Sequence, residues 1–112
     1  MTERHEEAAG RVYAIPFHDV WDAALRVGEE LRGWRVEDRD PRAGTLELQT
    51  LDRLGYRPLP ASIRLWLDEE GQTRLEVRIA EESRPRLLTS ARSRIRRFLR
   101  SLDRALGVPP SP

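Results

Sequence analysis

The sequence predicts one α+β domain in which a five-stranded antiparallel sheet is covered by two helices. Apolar and polar residues alternate in several segments between Trp34 and Ile79, as they do in strands that bury one face. Apolar residues instead recur every three or four positions in segments 17–31 and 88–106, as they do in helices that bury one side. The predicted order of elements is strand, helix, four strands and helix, with strand order 1-5-4-3-2 in the sheet.

The N-terminal part begins with a short strand and a helix. Residues 1–10 are polar and are expected to form a flexible tail. The next six residues, RVYAIP, combine β-branched and aromatic side chains and predict a strand that ends at Pro16. The helix follows over 17–31, and Gly33 is placed to end it in a left-handed conformation.

Four strands are predicted to follow as a meander. The first turn contains Pro41 and Gly44, which suit a tight reversal. A longer loop covers 52–60, and the final hairpin loop covers 68–72. The residues expected to face inward are Trp34, Val36, Leu46, Leu48, Ile63, Leu65, Leu67, Leu75, Val77 and Ile79.

The last helix carries the clearest periodic pattern in the chain. Its narrow apolar stripe consists of Ala91, Ile95, Phe98, Leu99, Leu102 and Leu106. We expect this helix to lie across the inner face of the sheet. Gly107 ends it, so the domain is expected to span 11–107, and residues 108–112 form a Pro-rich C-terminal tail.

Composition excludes several classes of protein. The chain has 112 residues and no cysteine, which excludes disulfides and thiolate metal sites. It contains no apolar run near the length of about 20 residues that a membrane span needs. Its N-terminal residues are acidic, unlike a signal peptide, so the expected location is the cytoplasm. All 20 basic residues are arginines and the net charge is only +1, so nucleic acid is not a favoured partner.

One segment resembles a known bacterial domain. Trp21, Val27-Gly28, Leu31 and the run from Gly33 to Gly44, with Val36-Glu37-Asp38-Arg39-Asp40 inside it, resemble the repeated domain of the outer-membrane lipoprotein subunit of the β-barrel assembly machine. The resemblance implies a helix-grip fold, in which a sheet curls around a long helix. The lipoprotein's anchoring cysteine is absent, so an outer-membrane role does not carry over.

The order of elements resembles a second family, the bacterial domain of unknown function 1499. The residues that carry this likeness are Val20-Trp21 at a helix start and Arg94-Ile95, Phe98-Leu99 and Leu102 in the last helix. That family has Asp, Gly and Asn before its last helix, where this chain has Leu87, Thr89 and Ala91. Neither resemblance implies a known reaction, cofactor or metal.

Candidate catalytic groups are few. His5 lies in the predicted tail and His18 at a helix start, and neither has a partner at metal-ligand spacing. Glu37, Asp38 and Asp40 could share a proton or a cation, but arginines are interleaved with them and favour cross-strand ion pairs. We therefore expect a non-enzymatic interaction module that needs no cofactor.

The favoured interaction surface combines the 52–60 loop with the outer face of the sheet. Large apolar residues and an arginine beside an outward-facing tryptophan are typical of the centres of protein interfaces. The residues of this predicted surface are Leu54, Tyr56, Leu59, Arg64 and Trp66. The expected partner is a second copy of the chain or another protein.

Two alternatives stay open at this point. The last helix carries an arginine-rich face that could bind a polyanion through Arg92, Arg96, Arg97, Arg100 and Arg104. A small apolar ligand could instead lie between the sheet and this helix. Its predicted lining is Trp34, Leu46, Leu48, Leu65, Val77 and Phe98.

Overall fold

A computed structural model of the chain describes residues 4–51, 58–82 and 91–109. The elements in chain order are β1 (Arg4–Tyr13), α1 (Phe17–Glu30), β2 (Trp34–Asp40), β3 (Thr45–Thr50), β4 (Leu59–Leu67), β5 (Thr73–Glu82) and α2 (Ala91–Ala105). The strands form one sheet in the order β1-β5-β4-β3-β2, and all neighbours are antiparallel. The predicted fold class and strand order are therefore confirmed.

The first strand is longer at its N-terminus than the sequence predicts. Residues 4–10, which we expected in a flexible tail, belong to β1 and pair with β5 in an unbroken register from Arg4↔Glu82 to Tyr13↔Thr73. Their polar sequence has little intrinsic strand preference, but β5 extends to Glu82 and supplies a hydrogen-bonding partner. The strand also ends at Tyr13 instead of Pro16.

Other boundaries also shift. β4 begins at Leu59, inside the segment predicted as a loop, and Leu67 at its other end is 57% exposed although we expected it to face the core. Leu67 is the last residue of β4, and its register partner Thr73 is buried, so the exposure is limited to the end of this strand. Val108, the first residue of the predicted tail, packs against the core and donates its backbone N–H to the carbonyl oxygen of Asp103.

The core lies between the inner face of the sheet and the two helices. The ring centroids of Trp34 and Phe98 are 4.9 Å apart, which places α2 directly against the residue that begins β2. The six side chains predicted to line a ligand pocket are between 0% and 7% exposed, namely Trp34, Leu46, Leu48, Leu65, Val77 and Phe98. These side chains have almost no exposed surface, so among the described residues side chains fill most of the space between the sheet and α2.

Two glycines allow close approach between elements. A Cβ at Gly28 would lie 2.9 Å from Leu48 Cδ2, so α1 could not pack as closely on β3 with a larger residue there. Gly44 has φ of 72°, and a Cβ there would collide with the carbonyl oxygen of Leu65. The turn between β2 and β3 therefore depends on glycine.

The filled core generates a prediction for Phe98→Ala. Removing this buried ring leaves a cavity, and we expect the free energy of unfolding to fall by about 3–5 kcal/mol in a denaturant titration. Leu67→Ala is the control, since this exposed residue should change stability by less than about 0.5 kcal/mol. A benzene-sized ligand should raise the melting temperature of Phe98→Ala and leave that of the natural chain unchanged. A rise in the natural chain would contradict the filled core.

Candidate interaction surfaces

The structure places Arg64 and Trp66 together on the outer face of β4. The Arg64 guanidinium carbon lies 5.0 Å from the Trp66 ring centroid, within the range of a cation–π interaction, and Trp66 is half-buried. Leu54 and Tyr56 lie outside the described residues. Leu59 follows the inward alternation of β4 and packs against the core, so it does not share a face with Trp66.

The rest of the outer face is mostly charged and paired. Arg78 contacts Glu76 at 2.6 Å and Glu6 at 2.7 Å. Arg74, which lies between Val12 and Trp66 in the strand registers, binds Asp68 at 2.9 Å. Val12 is 45% exposed, so the apolar part of this face is a small corner around Trp66.

The arginines of α2 form a second, more uniform surface, which we call the arginine face. Within the described ranges none of them forms an ion pair, whereas five arginines of the sheet do. All are exposed and lie within roughly 140° of one another around the helix axis, over a length of about 18 Å. They are Arg92, Arg96, Arg97, Arg100 and Arg104.

Arg94 does not belong to the arginine face. It is 4% exposed and donates a hydrogen bond from Nη1 to the carbonyl oxygen of Thr50 at 3.0 Å. It lies three residues after Ala91 and four before Phe98, which is the spacing of the buried side of the helix. That spacing was the signal in the sequence that this arginine faces inward.

A buried cluster joins β1 to α2 near the C-terminal end of the helix. The Tyr13 hydroxyl donates to Asp103 Oδ1 at 2.6 Å, and Arg11 Nε donates to Asp103 Oδ2 at 3.3 Å. Burial raises the pKa of Tyr13 well above its usual value of about 10, and the hydrogen bond to Asp103 and its negative charge raise it further. The phenol therefore stays neutral and holds the carboxylate in place.

Beside this cluster, a groove with a volume of 380 Å³ separates β1 from α2. It is lined by Glu7, Ala8, Ala9, Arg11, Arg92, Ile95, Arg96 and Leu99. Ile95 and Leu99 are each 2% exposed, so they form its floor and contribute little open surface. The sequence prediction missed this groove because half of its lining comes from β1, and most of those residues were assigned to the tail.

The candidate catalytic groups that the structure describes lie on different elements and have separate partners, and the side chain of His5 lies outside the described residues. The His18 side chain is 82% exposed and lies 3.2 Å from Asp22 on the next turn of α1, with no serine in the contact. Glu37 binds Arg35 at 2.8 Å, and Asp40 accepts the backbone N–H of Ala43 in the turn. Among the described residues, no group of three His, Cys, Asp or Glu side chains could hold a metal ion.

Comparison with solved structures shows which fold this is. The chain is similar to Ara h 8.0201, with a TM-score of 0.65 and 10% identity over 94% of this chain and 99% of that one. It is similar to CalU16 from Micromonospora echinospora, with a TM-score of 0.59 and 18% identity over 99% of this chain and 87% of that one. It is also similar to the Zhui aromatase/cyclase from Streptomyces sp. R1128, with a TM-score of 0.53 and 14% identity over 94% and 88% of the two chains. These likenesses show a helix-grip fold.

Sequence comparisons add no family. No protein-family model matches the chain, and no curated protein sequence matches it. The helix-grip fold implied by the two sequence resemblances is shown, while neither of the named families is supported. In the part of the chain that the structure describes, no helix is long and apolar enough to cross a membrane.

The cluster around Asp103 predicts a stability change at alkaline pH. Because the folded-state pKa of Tyr13 lies above its unfolded value, its contribution is fully present below about pH 10 and is lost as the pH rises beyond that value. We expect Tyr13→Phe to lower the free energy of unfolding by about 1–2 kcal/mol at pH 7 and to make its decline above pH 10 shallower. Denaturant titrations from pH 7 to pH 11 measure both effects. Identical alkaline declines in the two proteins would contradict this role.

The outer face predicts a different result for Trp66→Ala. Because Trp66 lies outside the core, we expect its loss to reduce self-association or partner binding while the fold remains, at a cost of about 1 kcal/mol in stability. Light scattering over a range of concentrations measures association, and a melting curve measures the fold. If the monomer of the variant is unfolded, Trp66 belongs to the core and this surface is not an interface.

Proposed function

We propose that this domain is a non-enzymatic binding module that docks an acidic segment of a partner protein on the arginine face of α2. The observation that carries the proposal is that five exposed arginines lie on one side of one helix without an acidic partner among the described residues. Five arginines of the sheet, in contrast, pair with nearby carboxylates. An acidic partner would supply the carboxylates that α2 lacks.

The spacing of these arginines destabilises the helix when it is considered alone. Arg92, Arg96, Arg100 and Arg104 follow one another at intervals of four residues, and like charges at this spacing repel. The opposite side of α2 is anchored by its buried apolar residues, so the repelling side chains stay together. Binding an acidic segment would relieve the repulsion and form charge-assisted hydrogen bonds with the planar guanidinium groups.

A protein partner fits these properties better than nucleic acid does. The whole chain has a net charge of +1 and an isoelectric point of about 8.4, below the range above 9 that is typical of nucleic-acid-binding domains. The aromatic residue of α2, Phe98, is fully buried, so the arginine face has no aromatic ring on which a base could stack. A short acidic segment needs neither a large positive field nor a stacking platform.

The outer face remains a second candidate surface for protein contacts. The cation–π pair of Arg64 with Trp66 and the exposed Val12 nearby favour it. Most of the surrounding charges are already paired within the sheet, so this surface offers less unsatisfied binding capacity than α2 does.

A small-molecule function draws its support from the fold. One structure with a similar fold is an aromatase/cyclase, and such an activity would require space for a substrate between the sheet and α2. In this chain the side chains between the sheet and α2, such as Leu46 and Phe98, are fully buried. A ligand would have to displace packed core residues, which is why we favour binding on the exterior. The absence of enzymatic activity stays a prediction.

The arginine face is tested by two variants with the same change in net charge. The first replaces Arg96, Arg100 and Arg104 by Gln, and the control replaces the exposed Arg26, Arg32 and Arg42, which lie away from α2. We expect the first variant to bind polyglutamate at least about tenfold more weakly than the natural chain, and the control less than about threefold, because charge-assisted hydrogen bonds are local.

Two results would contradict this proposal. Equal losses in the two variants would mean that net charge alone attracts the polymer. Tighter binding of a DNA duplex than of polyglutamate at the same ionic strength would assign the arginine face to nucleic acid. Titrations at several salt concentrations measure both, and affinity for polyglutamate should fall as salt rises because the contacts are exposed.

A further inference from the structure

The two edges of the sheet differ in how well they are protected. Proteins guard exposed strand edges with bulges and charged residues, because an open edge can pair with another chain. β2 has both, with a register shift between Val36 and Asp38 and an ion pair between Arg39 and Glu29. β1 pairs with β5 without any shift and has Ala8-Ala9-Gly10 at its centre.

Among the described residues, β1 pairs with β5 on one side, and no strand pairs with the outer side of β1. Every second residue of such a strand directs its N–H and C=O groups away from the sheet. Ala8, Ala9 and Gly10 are exposed and their own side chains are too short to cover these groups, while the Gly10 carbonyl oxygen accepts a hydrogen bond from Arg11 Nη1 at 3.3 Å.

The groove described above lies along this edge. Side chains alternate between the two faces of a strand, so Ala8 points to one face while Glu7, Ala9 and Arg11 point to the other. Three of the four β1 residues that line the groove lie on the same face as Tyr13, so the groove lies mainly on the inner face of this edge strand and includes Ala8 at the edge. The far wall is α2, so an added strand would lie between β1 and the arginine face.

The two walls of the groove, β1 and α2, run in the same chain direction. The groove spans Glu7 to Arg11 on β1 and Arg92 to Leu99 on α2, and Tyr13 meets Asp103 just beyond it. Arg92 and Arg96 are about 6 Å apart along the helix axis. In an extended strand, residues two positions apart are separated by about 6.7 Å. Acidic residues at alternate positions would therefore match the spacing of these two arginines.

Charge selects the occupant of the groove. Its lining contains three arginines and one glutamate, and Arg11 is already bonded to Asp103, which leaves Arg92 and Arg96 for a ligand. A second copy of β1 would bring its own α2 close by, and the two arginine faces would repel each other. An acidic peptide would not bring a second arginine face and so would avoid this repulsion.

We infer that the acidic partner segment adds to the free edge of β1 as an extended strand, with carboxylates at alternate residues bound to Arg92 and Arg96. This inference rests on the proposed function and specifies its geometry. Main-chain hydrogen bonds to β1 would supply affinity for any extended chain, and the two arginines would select acidic residues.

The test uses a synthetic peptide in which glutamate alternates with threonine. Arg92→Gln with Arg96→Gln removes the groove arginines, and Arg97→Gln with Arg104→Gln removes two from the far side of α2 with the same charge change. We expect the groove pair to weaken binding at least about tenfold and the far pair about threefold or less. Equal losses would overturn the assignment to the groove.

Amide hydrogen exchange separates strand addition from side-chain binding. On saturation with the peptide, we expect exchange of edge-facing amides within residues 6–11 to slow at least about tenfold, because those N–H groups become hydrogen-bonded. Loss of affinity in the groove variant without this protection would overturn strand addition and leave the proposed function standing. If neither the peptide nor polyglutamate binds the natural chain, both proposals fail. Protection of β1 in a dimer without peptide would assign the edge to a second copy.

Discussion

The packing of α2 against the inner face of the sheet determines most of what this chain presents to its surroundings. A helix that buries one side fixes the direction of every other side chain, and here the buried side includes Ile95, Phe98 and Leu102. The arginines on the other side must then face outward together. Arg94 falls on the buried side, where the Thr50 carbonyl oxygen accepts its hydrogen bond. A buried guanidinium without such an acceptor would strongly destabilise the fold.

Asp103 connects this helix to the edge of the sheet. It lies in the last turn of α2, where the partial negative charge of the helix end disfavours a carboxylate. The hydroxyl of Tyr13 and the guanidinium of Arg11 offset that effect, and they come from a strand about 90 residues earlier in the chain. The contact pins the C-terminal end of β1 to α2, whereas the two elements separate into the groove towards Glu7.

The sequence was sufficient for the fold class and strand order because each inner strand alternates regularly and α2 has a narrow apolar stripe. It was insufficient for β1, since the strand character of residues 4–10 comes from pairing with β5 and not from their own side chains. Prediction of the candidate site is limited in the same way. The exposed arginines were identified from helical spacing. The groove could not be predicted without knowing that β1 lies beside α2. The separation of Leu59 from Trp66 could not be predicted without knowing that β4 begins at Leu59.

The filled interior leaves little space for a ligand between the sheet and α2. The same backbone arrangement can enclose a ligand only if side chains leave room, and the contact between the tilted rings of Phe98 and Trp34 occupies that room here. The sheet's outer face neutralises much of its charge internally, through pairs such as Arg78 with Glu76. Where α2 meets the edge of β1, Arg92 and Arg96 form no ion pair and β1 has no second strand partner among the described residues. The proposed extended acidic chain would satisfy both at once, because its carboxylates and its backbone groups recur with the same spacing.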